Sequence, residues 1–332
     1  MLHPTSWRVG THPSSRRSVH WDKRHANLAA MVVAMAEGKA PFGEFQTWYG
    51  VVGDIASRPS HGPAPVVLLH GGPGATHDYL LPMTDLASDG RPVIFYDQLG
   101  NGRSTHLPDR GADFWTVELF VEELANLLQH LGVAERYHVL GQSWGGFLAQ
   151  EHALTQPAGL RSLVLSNSAA SFPAFVAETN RLRGDLPPEV EATLRRHEAA
   201  GTTHSGEYRA ACDVFYHRHL CRLDPWPEGV IEGLAQIDVD PTVYHTMNGP
   251  SEFHVIGSIK DWASESRLGQ IPVPTLVVSG RFDEATPALQ QTLIRGIAGS
   301  QQRIFENSSH LPFWEERELY MAVIDEWLVA HD

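Results

Sequence analysis

Short, mostly apolar runs recur along the chain: Val66–Leu69, Val93–Tyr96, Tyr137–Leu140, Leu163–Leu165, Thr275–Val278 and the more mixed Gln302–Phe305. Runs of this length without apolar/polar alternation suit strands covered on both faces, as in a parallel sheet. Between them lie helical patterns. The clearest places Val117, Phe120, Leu124, Leu127, Leu128 and Leu131 at three- and four-residue steps behind Thr116, a residue type that caps helix N-termini. Strand alternating with helix predicts an α/β fold with a mostly parallel central sheet flanked by helices. The rhythm stops between residues 170 and 268, where Pro187-Pro188, the charged stretch Glu189–Glu198 and the aromatic- and His-bearing segment Tyr208–Trp226 read as helical and strandless. The expected organisation is therefore an N-terminal extension over 1–42, a core formed by 43–169 and 269–332, and an inserted helical cap over 170–268. Residues 43–55 read as strand material ahead of the Pro/Gly/Ser-rich loop Ser57–Pro65, and an amphipathic helix from Glu315 to Val329 closes the chain.

Charge narrows the partners. The 332 residues carry a formal net charge of −14, and no Lys/Arg cluster stands out in the body of the chain, which argues against a nucleic-acid partner. No segment approaches the roughly 18 apolar residues of a membrane-spanning helix, so no membrane partner is expected either. In the first 28 residues, Arg8, Arg16, Arg17, Lys23 and Arg24 against Asp22 give +4, which leaves −18 for the remainder. Ser15-Arg16-Arg17 followed by the apolar run Leu28–Ala36 imitates a twin-arginine export signal. The charged stretch Asp22–His25 interrupts it, so the expectation is an uncleaved extension on a cytoplasmic protein, with export as the alternative. Cys212 and Cys221 lack disulfide-framework or zinc spacing. His217 and His219 stand two apart, which on a helix puts them on different faces, so no metal is expected.

The chemistry concentrates in a few turns. Gly141-Gln142-Ser143-Trp144-Gly145-Gly146 sets a serine in G-x-S-x-G between an apolar strand and a helical run, the strand-turn-helix context of a nucleophile elbow. His70-Gly71-Gly72-Pro73-Gly74 follows the 66–69 strand, where an α/β-hydrolase carries half of its oxyanion hole, and the expected donors are the backbone N–H groups of Gly72 and Trp144. A triad on this fold runs in the order Ser, acid, His, with acid and base on loops after later strands. Asp283 follows the 275–278 strand and His310 the 302–305 strand, so Ser143, Asp283 and His310 satisfy order and position. Asp97-Gln98-Leu99-Gly100-Asn101-Gly102-Arg103-Ser104 reads as a structural loop at the rim.

With these motifs in place the chain resembles the proline iminopeptidases, in the subfamily that includes the tricorn-interacting aminopeptidase. The resemblance runs from about residue 43 to the end, and its further marks are Met247-Asn248-Gly249-Pro250-Ser251-Glu252-Phe253, Gly280-Arg281-Phe282-Asp283-Glu284 and Ser309-His310-Leu311. It implies an α/β-hydrolase fold and a cofactor-free serine aminopeptidase. Such an enzyme acts on short peptides or amino-acid amides with a free N-terminus, proline preferred. It also implies that acidic residues grip the substrate amine, at the positions of Glu252 and Glu284. Phe253, Trp262 and Trp144 are candidate walls for the proline ring. A broader amino-acid amidase or a carboxylic-ester hydrolase on the same triad is the alternative.

Overall fold

The computed structural model describes residues 35–56 and 62–332. Eight strands form one sheet: β1 Met35–Phe42, β2 Phe45–Val52, β3 Val66–Leu69, β4 Val93–Tyr96, β5 Tyr137–Gln142, β6 Leu160–Ser166, β7 Thr275–Gly280 and β8 Gln301–Phe305. Their spatial order is β1-β2-β4-β3-β5-β6-β7-β8, with the β1/β2 and β2/β4 pairs antiparallel and the remaining pairs parallel. The apolar runs behave as a period-2 element dictates. Val67, Leu69, Ile94, Val139, Leu165 and Val277 feed one buried cluster, and their neighbours Val66, Leu68, Val93, Phe95, Leu140 and Val278 feed the other.

Helices cover both faces. On the first side lie α1 (Val117–His130) and α2 (Trp144–Leu154), whose Phe120, Leu124, Leu127 and Phe147 enter that cluster. The hydroxyl of Thr116 accepts the Leu119 N–H at 3.2 Å, capping α1 as its sequence predicts. Between β6 and β7 come α3 (Phe172–Arg183), α4 (Pro188–Ala200), α5 (Gly206–His219), α6 (Glu228–Val239) and α7 (Thr242–Met247). A small core of Leu182, Leu186, Leu194, Tyr208, Cys212, Phe215 and Phe253 ties this segment together. α8 (Pro287–Gly296) returns to the first face through Leu293, while α9 (Pro312–Glu315), α10 (Arg317–Ala330) and a 3-10 segment over His77–Ala87 pack on the second. Among the described residues no helix is long and apolar enough to cross a membrane.

The folded unit begins earlier than the expected boundary at 43. β1 pairs with β2 along its whole length, from Met35 opposite Val52 to Phe42 opposite Phe45. As an edge strand it buries only Ala40, so its polar sequence carries no alternation to read. The twin-arginine-like segment lies outside the described residues apart from Met35 and Ala36, which belong to β1.

Candidate active site

Ser143 joins the end of β5 to the start of α2 with φ 55° and ψ −124°, a left-handed backbone unusual for a side-chain-bearing residue and costing on the order of 1–3 kcal/mol. The flanking glycines permit the turn: a Cβ on Gly141 would collide with the Gly145 carbonyl, and one on Gly145 with the Leu69 carbonyl. The Ser143 amide bonds the Ser166 carbonyl of β6 at 3.0 Å, so the strained tip is held by the sheet itself.

Asp283 and His310 meet from the loops after β7 and β8. His310 Nδ1 lies 2.7 Å from Asp283 Oδ1, and both side chains are buried. Asp283 also accepts the Ala285 N–H at 2.9 Å and the Asn167 side-chain amide at 2.6 Å, so three donors fix the carboxylate. Burial pushes the Asp283 carboxyl above its usual range against the pull of His310 and those donors. Burial alone would lower the His310 imidazole, but Asp283, Glu284 and Glu252 outweigh it and push it up to about 9.

The loop Gly71–Gly74 reaches the same place. Gly71 N–H donates to Tyr79 Oη at 2.5 Å, Tyr79 donates to Gln142 Oε1 at 2.6 Å, and Gln142 Nε2 donates to the His310 carbonyl at 3.2 Å. Gly72 takes φ +111°, where a Cβ would run into the amides of Gly74 and Ala75. The Trp144 N–H opens α2, and a first-turn amide lacks an intrahelical acceptor, so it is available to a ligand oxygen. Gln98 spans the two loops: its N–H bonds His70 Nε2 at 3.0 Å, its Nε2 donates to the His70 carbonyl at 3.0 Å, and its Oε1 accepts the Trp144 indole N–H at 2.9 Å.

Glu252 and Glu284 complete the cluster. Ser143, Gly72, His310, Glu252 and Glu284 all line one cavity of about 810 Å³. Glu252 sits on the turn after α7 and accepts the Tyr244 hydroxyl at 2.6 Å. α3 steadies that turn, with Asn180 donating to the Phe253 carbonyl at 2.9 Å and the Arg183 guanidinium lying 4.9 Å over the Phe253 ring. Glu284 Oε1 lies 3.7 Å from His310 Nε2, and its Oε2 is buried without a hydrogen-bond partner among the described residues. Burial raises both carboxyls, that of Glu284 well above its usual range because Glu252 and Asp283 add like charge.

The seven residues singled out in the sequence thus occupy one region: five line the cavity, Asp283 backs His310, and Trp144 follows Ser143. The proposed aromatic walls do not converge there. Phe253 joins the cap core, Trp262 packs edge-on to Phe147 with its N–H on Glu151, and the Trp144 ring is buried against Gln98 and Phe120. The aromatics lining the cavity are Tyr79, Tyr208, Tyr216, Trp226 and Tyr244. His217 stacks on Trp226, and His219 Nδ1 lies 2.9 Å from the Phe282 carbonyl. Gln98, Tyr79, Gln142, Asn167 and Tyr244 were not singled out by the sequence; only the position of Gln98 in the 97–104 motif and of Gln142 beside Ser143 gave any signal.

Comparison with known proteins agrees with this geometry. A family model described as alpha/beta hydrolase fold matches residues 64–317. A proline iminopeptidase of Saccharolobus solfataricus is 42% identical over 263 residues, covering 79% of this chain and 84% of the relative. One from Lactobacillus helveticus is 38% identical over 299 residues, covering 89% and 98%. Among solved structures, VinJ superposes with a TM-score of 0.87 at 52% identity, covering 90% of this chain and 99% of its own. A proline iminopeptidase of Mycobacterium smegmatis gives 0.82 at 45%, covering 89% and 98%. Together with the elbow serine and the single cavity it shares with His310 and two carboxylates, these matches identify the chain as a member of the proline iminopeptidase family of α/β hydrolases.

Proposed function

We propose that the protein is a serine aminopeptidase that releases an N-terminal residue, preferentially proline, from peptides through an acyl-enzyme, with Ser143, Asp283 and His310 as its triad. The observation that carries this reading is the placement of two carboxylates, the buried Glu284 and the half-buried Glu252, in the cavity that holds Ser143 and His310. A substrate amine adjoining the scissile carbonyl meets charge-assisted acceptors there, and an acylated amine forfeits them. His310 Nε2 takes the Ser143 proton as the hydroxyl oxygen attacks the carbonyl, and Asp283 holds the ring in the tautomer that leaves Nε2 unprotonated. The N–H groups of Gly72 and Trp144 receive the oxyanion. His310 then protonates the departing amine, and water resolves the acyl-enzyme by the same path. The substrates are short peptides or amino-acid amides with a free N-terminus.

Release rates from Pro-, Ala- and Leu-nitroanilide, N-acetyl-Pro-nitroanilide and a short-chain nitrophenyl ester test the reading. Free Pro-nitroanilide is expected to be the fastest amide, and acetylation to abolish turnover. Faster cleavage of the acetylated compound overturns the assignment, and an ester preference with no discrimination among amides selects the amidase or esterase alternative.

A further inference from the structure

The nitrogen of His310 that has to accept the serine proton is not free of other partners. Nε2 faces Glu284 Oε1 at 3.7 Å in a buried setting, while the second oxygen of Glu284 has no hydrogen-bond partner among the described residues. A buried carboxylate with one orphaned oxygen beside an imidazole is a poor place for a bare negative charge. Two chemical states relieve it: the imidazole carries a second proton and pairs with the carboxylate across that gap, or the carboxyl is protonated and closes the gap to donate to Nε2. Both occupy the lone pair that Ser143 needs.

We propose that Glu284 gates the catalytic base: before substrate binds it holds a proton between its carboxylate and His310 Nε2, and the substrate's ammonium group, by taking Glu284 as its partner, drives that proton to solvent and leaves Nε2 free for Ser143. The inference rests on the aminopeptidase reading above. One positive charge enters the cluster and one proton leaves it, so the charge of the site is unchanged and no covalent bond is altered. The neutral imidazole then accepts the Ser143 proton as the oxygen attacks. Discrimination against acylated substrates thereby acts twice, once in binding and once in whether the base is available.

The surroundings favour this exchange. The groups whose charge acts on His310 are Asp283 and Glu284 on the loop after β7 and Glu252 on the turn after α7, and together they raise it to about 9 against burial. Of the other titratable groups packed nearby, Tyr79, Tyr216, Tyr244 and His219 stay neutral near pH 7, and His204, His245 and His254 also line the cavity. Burial raises the hydroxyls of Tyr79, Tyr216 and Tyr244, and burial lowers the imidazole of His219. Glu198, Arg209, Asp213 and Asp238 of the cap line the same cavity.

The test compares pH profiles for a cationic and an uncharged substrate. On the wild-type enzyme the acid limb of kcat for Pro-nitroanilide should lie at least one pH unit below the acid limb of kcat/KM for 4-nitrophenyl acetate, which brings no ammonium to displace the proton. In Glu284→Leu, 4-nitrophenyl acetate kcat/KM at pH 6 should rise at least fivefold while Pro-nitroanilide kcat/KM falls at least tenfold. General damage to the site would lower both. Coincident limbs in the wild type overturn the gate, as does a parallel loss on both substrates in the variant. The wild-type profiles need no variant, so they decide the matter even where Glu284→Leu fails to fold. Absence of Pro-nitroanilide turnover removes the aminopeptidase reading itself, whereas coincident limbs on an enzyme that does cleave it remove only the gate.

Discussion

Tyr244 shows how one hydroxyl can set a binding constant. It donates to Glu252 Oε1 at 2.6 Å in a partly buried pair, which favours the ionised carboxylate against the desolvation that raises it. Removing that donor leaves a half-buried carboxylate less satisfied and more readily protonated, and so a weaker acceptor for a cationic amine. Tyr244→Phe should therefore raise KM for Pro-nitroanilide about tenfold, the equivalent of roughly 1.4 kcal/mol for a hydrogen bond to a charged group. Ester hydrolysis, which on the proposed mechanism uses Ser143 and His310 without the amine, should change less than about twofold, since uniform binding and chemistry separate in such a comparison. Paired Michaelis–Menten measurements check it, and equal losses on both substrates would remove Glu252 from the amine role. The contrast between Tyr244 and Ser143 also marks what the sequence makes legible. Ser143, Asp283 and His310 are placed by order, because each follows a recognisable strand. Tyr244 and Asn167 owe their positions to partners 8 and 116 residues away, and nothing in their local pattern announces those contacts. The aromatics failed for the same reason: Phe253, Trp262 and Trp144 read as walls of a small apolar pocket, but Phe253 and Trp144 pack into cores and Trp262 lies half-buried against one.

At the scale of elements, the segment 97–104 exceeds its reading as a rim loop. Glu123 of α1 accepts the Leu99 N–H at 2.9 Å and pins the segment from below, and burial pushes that carboxyl up to about 7. Gln98 then clamps His70 and Trp144, one residue on each of the two loops proposed to bind the oxyanion. Gln98→Leu should lower kcat on amide and ester alike by about tenfold or more, short of the 10²–10³ lost with an oxyanion donor itself, because the donors remain but lose their register. KM should move little, and a full steady-state comparison reads the split. A selective loss on the amide would assign Gln98 to substrate recognition instead. This clamp was invisible in sequence because a glutamine in a Gly-rich loop looks like any turn residue until its two partners, His70 and Trp144, are brought in by separate elements. The strands show the complementary case. β3, β4 and β7 bury every residue, so their composition reveals them, whereas β1 joins the sheet mainly by main-chain pairing, with Ala40 alone fully buried, and is missed.

Across the whole molecule, chemistry and anchorage occupy opposite ends of the sheet. The proposed triad and the oxyanion loops sit at the carboxyl ends of β3, β5, β7 and β8, the usual binding end of an open parallel sheet. Asp332 stitches the other end. Its carboxylate accepts the Ala64 N–H at 2.7 Å and two guanidinium bonds from the buried Arg91 at 3.0 and 2.9 Å, with His138 Nε2 at 3.3 Å. Ala64 and Arg91 lie just ahead of β3 and β4, and His138 lies in β5, so one side chain gathers the starts of three central strands. Asp332→Asn leaves the Arg91 charge buried and unpaired, which costs about 3–5 kcal/mol where both partners are buried and roughly 2–3 kcal/mol here, because Asp332 is partly exposed. These partners hold the Asp332 carboxyl far below its usual range despite the opposing effect of burial. Its contribution is therefore complete above the unfolded value of ~3.9 and is lost progressively as the pH falls from there through the depressed folded value. Urea unfolding should thus show the full gap between wild type and Asp332→Asn at pH 7, a smaller one at pH 3, and no change in kcat under native conditions. An equal gap at both pH values would mean that the carboxylate's charge is not what Arg91 needs. A fall in kcat would mean that the two ends of the sheet are mechanically coupled, and that strand register at the base is transmitted to the Ser143 elbow.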